Sequence, residues 1–258
     1  NLVNPVHGGD NGSHREGYGS AMEGSVFTCC SHGETIGSKR SRCKSCFGSG
    51  GFVLIGDQAF LEPMQLAPQF ERLGQGRLVL VAARPGPGGV TLSAPGRDDL
   101  FVPDDAFTEP CPTIVWGSEF PAWRGATAAD AWISAYLGTR LRFMWIGADT
   151  ARRVKTAPDV PLTFADGFPL LLIGQASLDA LSARLGRALG MARFRPNLVV
   201  DGCAPHAEDG WRRIRIGTVE FDVVKPCVRC VFTTVDPETG SRGLDQEPLR
   251  TLAAYRRT

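Results

Sequence analysis

Glycine and proline interrupt this chain so often that long uninterrupted elements have little room: 31 Gly and 18 Pro fall among 258 residues, roughly a fifth of the total. The longest apolar stretches, residues 78–83 and 168–173, are strand-sized. Neither approaches the ~18 apolar residues of a transmembrane helix. That texture favours short strands joined by many turns. Hydrophobic residues make up 43% and charged residues 21%, so a packed core can form and whole-chain disorder is excluded. The length suits one large domain or two small ones. Twenty-eight Lys and Arg against 27 Asp and Glu leave a net charge of +1. That removes the electrostatic case for a nucleic-acid polymer or an anionic membrane as partner.

Eight cysteines are too few for a disulfide scaffold. They fall as Cys29/Cys30, Cys43/Cys46 and Cys227/Cys230, with Cys111 and Cys203 alone. The start of the chain has no apolar core of a signal peptide, so the expected setting is reducing and cytoplasmic. There, close cysteine pairs mean metal, redox chemistry or inert thiols.

Composition divides the chain in three. Residues 1–51 hold 11 of the 31 Gly and show no apolar period, which predicts a poorly ordered or artefactual segment. Residues 52–146 read as mainly β with one helix. Strands are expected at 52–55, 78–83, 90–93, 100–102, 113–116 and 140–146, with a hairpin turn in the Pro85-to-Gly89 stretch. The helix opens at Thr127, carries Asp130 in its first turn, faces the core with Ala131, Trp132, Ala135 and Tyr136, and stops at Gly138. A polar link leads into residues 147–258. Strands are expected at 169–173 and 198–200, and Ser177 is placed to cap a helix facing inward through Leu178, Leu181 and Leu185. Residues 213–216 and 219–224 alternate around Gly217 as an antiparallel pair. A strand at 231–235, a turn from Asp236 to Gly240 and a last helix over 248–254 complete the pattern.

The chemistry gathers where the second strand of that pair ends, in Lys225-Pro226-Cys227-Val228-Arg229-Cys230. Pro226 has no N–H and ends the ladder, which puts both thiols on a loop. Lys225 and Arg229 bring positive charge that favours the thiolate, a soft ligand for a transition metal. On their own these residues leave metal binding, redox chemistry and inert thiols open. A structural zinc site would need Cys43/Cys46 as the second pair.

Beyond the thiols, Phe194-Arg195-Pro196-Asn197, Ala207-Glu208-Asp209-Gly210-Trp211, Ile216-Gly217, Cys227-Val228-Arg229-Cys230 and Glu247-Pro248-Leu249 follow one another in the order and spacing of the MOSC (molybdenum cofactor sulfurase C-terminal) family. The chain resembles the two-domain branch that includes the amidoxime-reducing component and its bacterial relatives. The resemblance implies an α+β, mainly β fold: an N-terminal MOSC β-barrel-like domain over 52–146 and a MOSC β-barrel domain over 147–258, incomplete at its C-terminus. It implies molybdenum cofactor (a molybdenum–molybdopterin) with Cys230 as the metal-ligating, catalytic thiolate. Arg195 falls on the family's cofactor-contacting arginine. Val228, Arg229, Asp166, Gly167 and Phe168 match loop positions that approach the cofactor, and Lys44 and Ser45 match an N-terminal Lys-Ser-Cys motif. Gly50 stands where relatives carry a further cofactor-binding arginine.

The implied activity is reduction of N-hydroxylated compounds (hydroxylamines, amidoximes, N-hydroxylated bases) to amines. Electrons would come from a separate flavin or iron–sulfur partner. Two alternatives stand beside it: a sulfur carrier or binding module using a Cys230 persulfide, and a non-functional fragment. The family's loose association with pyridoxal phosphate finds no lysine suited to a Schiff base among Lys44, Lys155 and Lys225. Plainer readings cover other motif residues. Asn197 bonds loop backbone, Glu208 and Asp209 form a solvated turn before Trp211, and Thr233 and Thr234 lie on a strand. Cys203 and His206 are a core thiol and a surface imidazole.

Overall fold

A computed structural model of the chain describes residues 1–6, 27–29, 34–36, 52–56, 75–115, 117–147 and 150–256. In chain order the strands are β1 (Leu2–Pro5), β2 (Phe27–Cys29), β3 (Glu34–Ile36), β4 (Phe52–Gly56), β5 (Ala82–Gly86), β6 (Gly89–Ser93), β7 (Leu100–Pro103) and β8 (Glu109–Val115). They continue as β9 (Ser118–Arg124), β10 (Leu141–Trp145), β11 (Arg153–Val154), β12 (Ala157–Pro161), β13 (Leu170–Gly174), β14 (Leu198–Val200), β15 (Arg213–Ile216) and β16 (Val219–Lys225). The helices are α1 (Gln75–Leu78), α2 (Thr127–Leu137), α3 (Gln175–Leu185) and α4 (Leu249–Tyr255). The fold is mainly β with a few helices. It forms two compact units: one comprises Asn1–Arg42, Phe168–Thr234 and Gly243–Thr258, the other Cys43–Gly167 and Val235–Arg242.

The first unit is built on a seven-stranded sheet in the order β15-β16-β1-β13-β14-β2-β3. β13 is its hub. It pairs antiparallel with β1 and parallel with β14, and it is covered on both faces. Leu170 and Leu172 join Val3, Val200 and Phe221 on one side. Ile173 on the other side packs with Phe194 and with Leu178 and Leu181 of α3. A strand buried on both faces needs an unbroken apolar run, which is why 170–173 shows no alternation. β1 was not foreseen, since the N-terminal stretch carries no apolar period. Four residues are too few to show one, and it is the ladders with β13 and β16 that make Leu2–Pro5 a strand, with Val3 fully buried.

α3 runs where expected and ends at Gly186, whose φ of 65° lies in the left-handed region that glycine tolerates. Ser177 does not cap it. Its hydroxyl lies within the helix and accepts a hydrogen bond from the His206 backbone N–H at 2.8 Å. The strand expected at 231–235 is instead a 3-10 turn, Val231–Thr234. The Thr233 and Thr234 hydroxyls donate to the carbonyls of Cys230 (3.0 Å) and Val231 (2.7 Å), local bonds that compete with a strand ladder.

The second unit holds the sheet β4-β10-β9-β8, the sheet β5-β6-β7 and the ribbon β11-β12. The hairpin before β6 is present, although its first strand starts at Ala82, after the end of α1, rather than at residue 78. β9, β11 and β12 were not anticipated. Prolines and charges mask their alternation. α2 spans the expected residues, yet its buried face is Ala129, Trp132, Ile133, Tyr136 and Leu137, while Ala131 and Ala135 are exposed. Burying Ile133 and Leu137 removes more apolar area from water than burying two alanines. Asp130 accepts a 2.6 Å bond from the Phe143 N–H and so ties the helix to β10.

Candidate functional site

β16 carries the chain to Lys225, and Pro226, lacking an N–H, ends its ladder. The five residues that follow form a loop closed by the 3-10 turn. Both the Thr233 N–H and its hydroxyl donate to the Cys230 carbonyl, which fixes the backbone of that residue while its thiol stays exposed. Val228 is 80% exposed, an unusual position for an aliphatic side chain, so the loop presents its tip outward. Cys227 is half-buried, and its S–H donates to the Val228 carbonyl at 3.5 Å.

Three cations on this loop and on the segments that adjoin it each lie over an aromatic ring. The Arg229 guanidinium lies 5.5 Å from the Phe194 centroid. Arg195 lies 5.7 Å from Phe232, and the Lys225 ammonium 5.4 Å from Phe168. Each such contact contributes about 0.5–2 kcal/mol and holds the charge in place without neutralising it. No carboxylate lies within ion-pair distance of Arg195, Lys225 or Arg229 among the described residues. Burial lowers the Arg229 pKa from its ordinary value, and the charges of Cys227 and Cys230 oppose that shift. Arg195 adopts a φ of 51° at the end of the 3-10 turn Met191–Phe194, and that turn packs against Val231–Thr234. A non-glycine residue held in the left-handed region marks a backbone constrained by its surroundings. An exposed thiol on a loop with a neighbouring guanidinium is chemically suited to an anionic ligand bearing a soft metal.

Asp166 and Gly167 lie in the second unit, on a stretch whose backbone is held by Arg152. That side chain, 4% exposed, donates to the carbonyls of Thr163 (2.6 Å), Ala165 (2.5 Å) and Asp166 (3.0 Å) and lies over the Phe120 ring. Burial lowers its pKa, with the Asp166 carboxylate opposing. Among the described residues no group of three or more His, Cys, Asp or Glu is arranged to hold a metal ion.

The MOSC domain family matches residues 159–258. Mouse mitochondrial amidoxime-reducing component 1 is 35% identical over 192 residues, covering 70% of this chain and 55% of the mouse protein. Its human counterpart is 33% identical over 190 residues, covering 70% and 56%. The zebrafish protein of the same name is 47% identical over 102 residues, 39% of this chain and 30% of its own. Residues 159–258 are a MOSC domain. The chain spans about half the length of the mouse and human proteins.

The MOSC segment supplies β13 to β16 of the seven-stranded sheet, whereas β1, next to β13, comes from outside it. Of the residues singled out by resemblance, the first unit brings together Arg195, Val228, Arg229 and Cys230, with Phe168 beneath Lys225. Lys44, Ser45, Cys43 and Cys46 lie outside the described residues. Asn197 bonds the Leu171 backbone through both its N–H and its side-chain oxygen, each at 2.9 Å, as a backbone-bonding reading anticipates.

Glu208 departs from expectation. It is not on a solvated turn but 5% exposed, and Oε1 accepts a 3.0 Å bond from the Gly174 N–H. A Cβ on Gly174 would stand 3.0 Å from that carboxylate, so glycine there makes the approach possible. Its neighbour Asp209 is bound by Arg256 through two bonds of 2.5 and 2.9 Å, which hold its carboxyl below the usual range. No periodicity reports this burial. The only local sign is the Glu-Asp pair preceding Trp211, which also reads as a turn. Glu208 lines a cavity of about 560 Å³ in the first unit, whose wall also includes Leu178, Phe194, Arg229 and Tyr255.

Proposed function

We propose that this chain is a molybdenum-cofactor-binding oxidoreductase that reduces N-hydroxylated compounds to amines, with electrons delivered by a separate flavin or iron–sulfur partner. The observation that carries the reading is the exposed Cys230 on a loop that also carries Arg229, whose charge interacts with it, in a domain whose relatives are named amidoxime-reducing components; Arg195 and Lys225, each over an aromatic ring, lie in the same unit. The residues present fit that group. Cys230 offers a soft thiolate for the metal. The planar forks of Arg195 and Arg229 suit a phosphate or a metal-bound anion, and Lys225 adds a point charge.

When bound, the cofactor supplies the two-electron redox chemistry that removes oxygen from an N–OH group. The protein's part is binding and electrostatics. Phe194 and Phe232 hold the two guanidiniums in place, so less side-chain freedom is lost when an anion arrives. The Thr233 bonds to the Cys230 carbonyl set the backbone from which the thiolate projects. Val228, exposed on the same loop, would flank the cofactor. Asp166, Gly167, Lys44 and Ser45 enter this reading through the family resemblance alone.

The test is metal content. Expressed in a host that makes molybdenum cofactor, the chain should carry close to one molybdenum per protein, and Cys230→Ala should carry a small fraction of that. Equal molybdenum in the two proteins would remove Cys230 as the ligand and the proposal with it.

A further inference from the structure

Arg195 and Cys230 are carried by two short turns far apart in the chain. Arg195 follows the 3-10 turn Met191–Phe194, and Cys230 precedes the 3-10 turn Val231–Thr234. The first turn is tied to the sheet, because Phe194 is buried with Ile173, Leu178 and Leu181, and Asn197 bonds the Leu171 backbone. The loop that leads into the second turn lies beyond the end of the β16 ladder at Pro226. Its distance from Arg195 must therefore be set by contacts that cross between the turns. Three arginines make such contacts. Arg195 lies over Phe232 and Arg229 over Phe194. The third is the half-buried Arg193, whose Nη1 donates to the Thr233 carbonyl at 3.3 Å.

These contacts differ in what they fix. A guanidinium over a ring can slide and tilt at little cost. A hydrogen bond to a carbonyl is directional and sets a distance, and a charged donor strengthens it. The acceptor here is Thr233, which is 5% exposed. Its own N–H and hydroxyl both donate to the Cys230 carbonyl, at 3.2 and 3.0 Å. One buried residue thus joins the turn that ends at Arg195 to the residue that bears the thiol.

We infer that Arg193 is a positioning residue: it holds the Arg195 turn to the Thr233 turn and so sets the separation of the Arg195 guanidinium and the Cys230 thiol for a single anionic, metal-bearing ligand. Groups that stand behind a metal ligand in this way tune metal affinity by about 10–100-fold. The nature of the ligand rests on the proposed function; the brace itself rests on the bonds between the two turns.

The test compares the wild-type chain with Arg193→Met, which keeps the stem and removes every donor, and Arg193→Lys, which keeps a charged donor. In the metal-free chain, amide hydrogen exchange over residues 191–195 and 230–234 should quicken by roughly fivefold or more in Arg193→Met. The β15–β16 hairpin should exchange as before, and Arg193→Lys should stay near the wild type. In protein from a host that makes molybdenum cofactor, Arg193→Met should carry less than about a third of the wild-type molybdenum, and Arg193→Lys more than about half. Should Arg193→Met fail to fold, Arg193→Gln, which keeps an uncharged donor on a shorter stem, carries both readouts with the same expectations. Exchange that does not quicken at the two turns, or quickened exchange with wild-type molybdenum, would overturn the inference. Molybdenum that depends on Cys230 but survives Arg193→Met defeats this inference alone; local quickening that lysine repairs, together with Cys230-independent molybdenum, defeats only the proposed function.

Discussion

Replacing Arg152 by methionine isolates what one buried cation does for the loop that carries Asp166 and Gly167. Methionine keeps most of the stem that packs over Phe120 and removes the guanidinium. Three carbonyls, those of Thr163, Ala165 and Asp166, then lose their donor. Each charge-assisted bond is worth roughly 1.5–3 kcal/mol, and the ring contact adds roughly 0.5–2 kcal/mol. Two effects oppose that loss. A buried guanidinium carries a desolvation cost that methionine does not, and Asp166 is exposed, so its carbonyl can turn to water. The net expectation is a loss of about 3 kcal/mol, a factor of roughly 150 in the folded-to-unfolded ratio. Urea denaturation should show it as a lower midpoint at unchanged slope. Hydrogen exchange at residues 163–167 should quicken by more than the global loss explains. A stability change below about 0.5 kcal/mol with unaltered exchange would show that the three bonds do not hold the loop, and the reasoning would fail.

Two further outcomes follow from the first unit. The Asp209 carboxyl is held below its usual range chiefly by its bonds to Arg256. Its contribution is therefore present above about pH 4, where an unfolded aspartate ionises, and is lost as pH falls through the lower folded value. Melting temperature against pH should accordingly decline less steeply in acid for Asp209→Asn than for the wild type; parallel curves would show that the pair contributes no acid dependence. Burial raises the Cys203 thiol pKa, with Glu208 adding to the shift, while Cys230 is exposed. At neutral pH iodoacetamide should modify Cys230 well before Cys203, as read by peptide mass spectrometry, and the reverse order would contradict the placement of both.

Much of the local structure was legible in the residues. α2 and its stop at Gly138, the β15–β16 hairpin around Gly217 and the apolar β13 each follow from a period or a turn residue acting over a few positions. What escaped notice depended on partners distant in the chain. β1 is a strand because β13 and β16 flank it, and nothing in Leu2–Pro5 itself says so. Thr233 and Thr234 belong to a residue type favoured in strands, yet their hydroxyls take local carbonyls and close a turn. α2 turned a different face inward than Ala131 and Ala135 suggest, because its neighbours offered a surface for Ile133 and Leu137.

For the candidate site the division is similar. Residue order alone placed two cysteines on one loop after a strand, with a cation at the strand's end and another between them, since a proline, a short spacing and charge are properties of neighbours. Sequence order also carried the MOSC likeness. Only packing could seat Arg229 on Phe194, 35 positions earlier in the chain, and Arg195 on Phe232. Only packing could take Glu208 out of water and leave one of its oxygens without a hydrogen-bond partner among the described residues. Burial and electrostatic pairing are set by what arrives from elsewhere, and a carboxylate reads the same in a sequence whether water or leucine surrounds it.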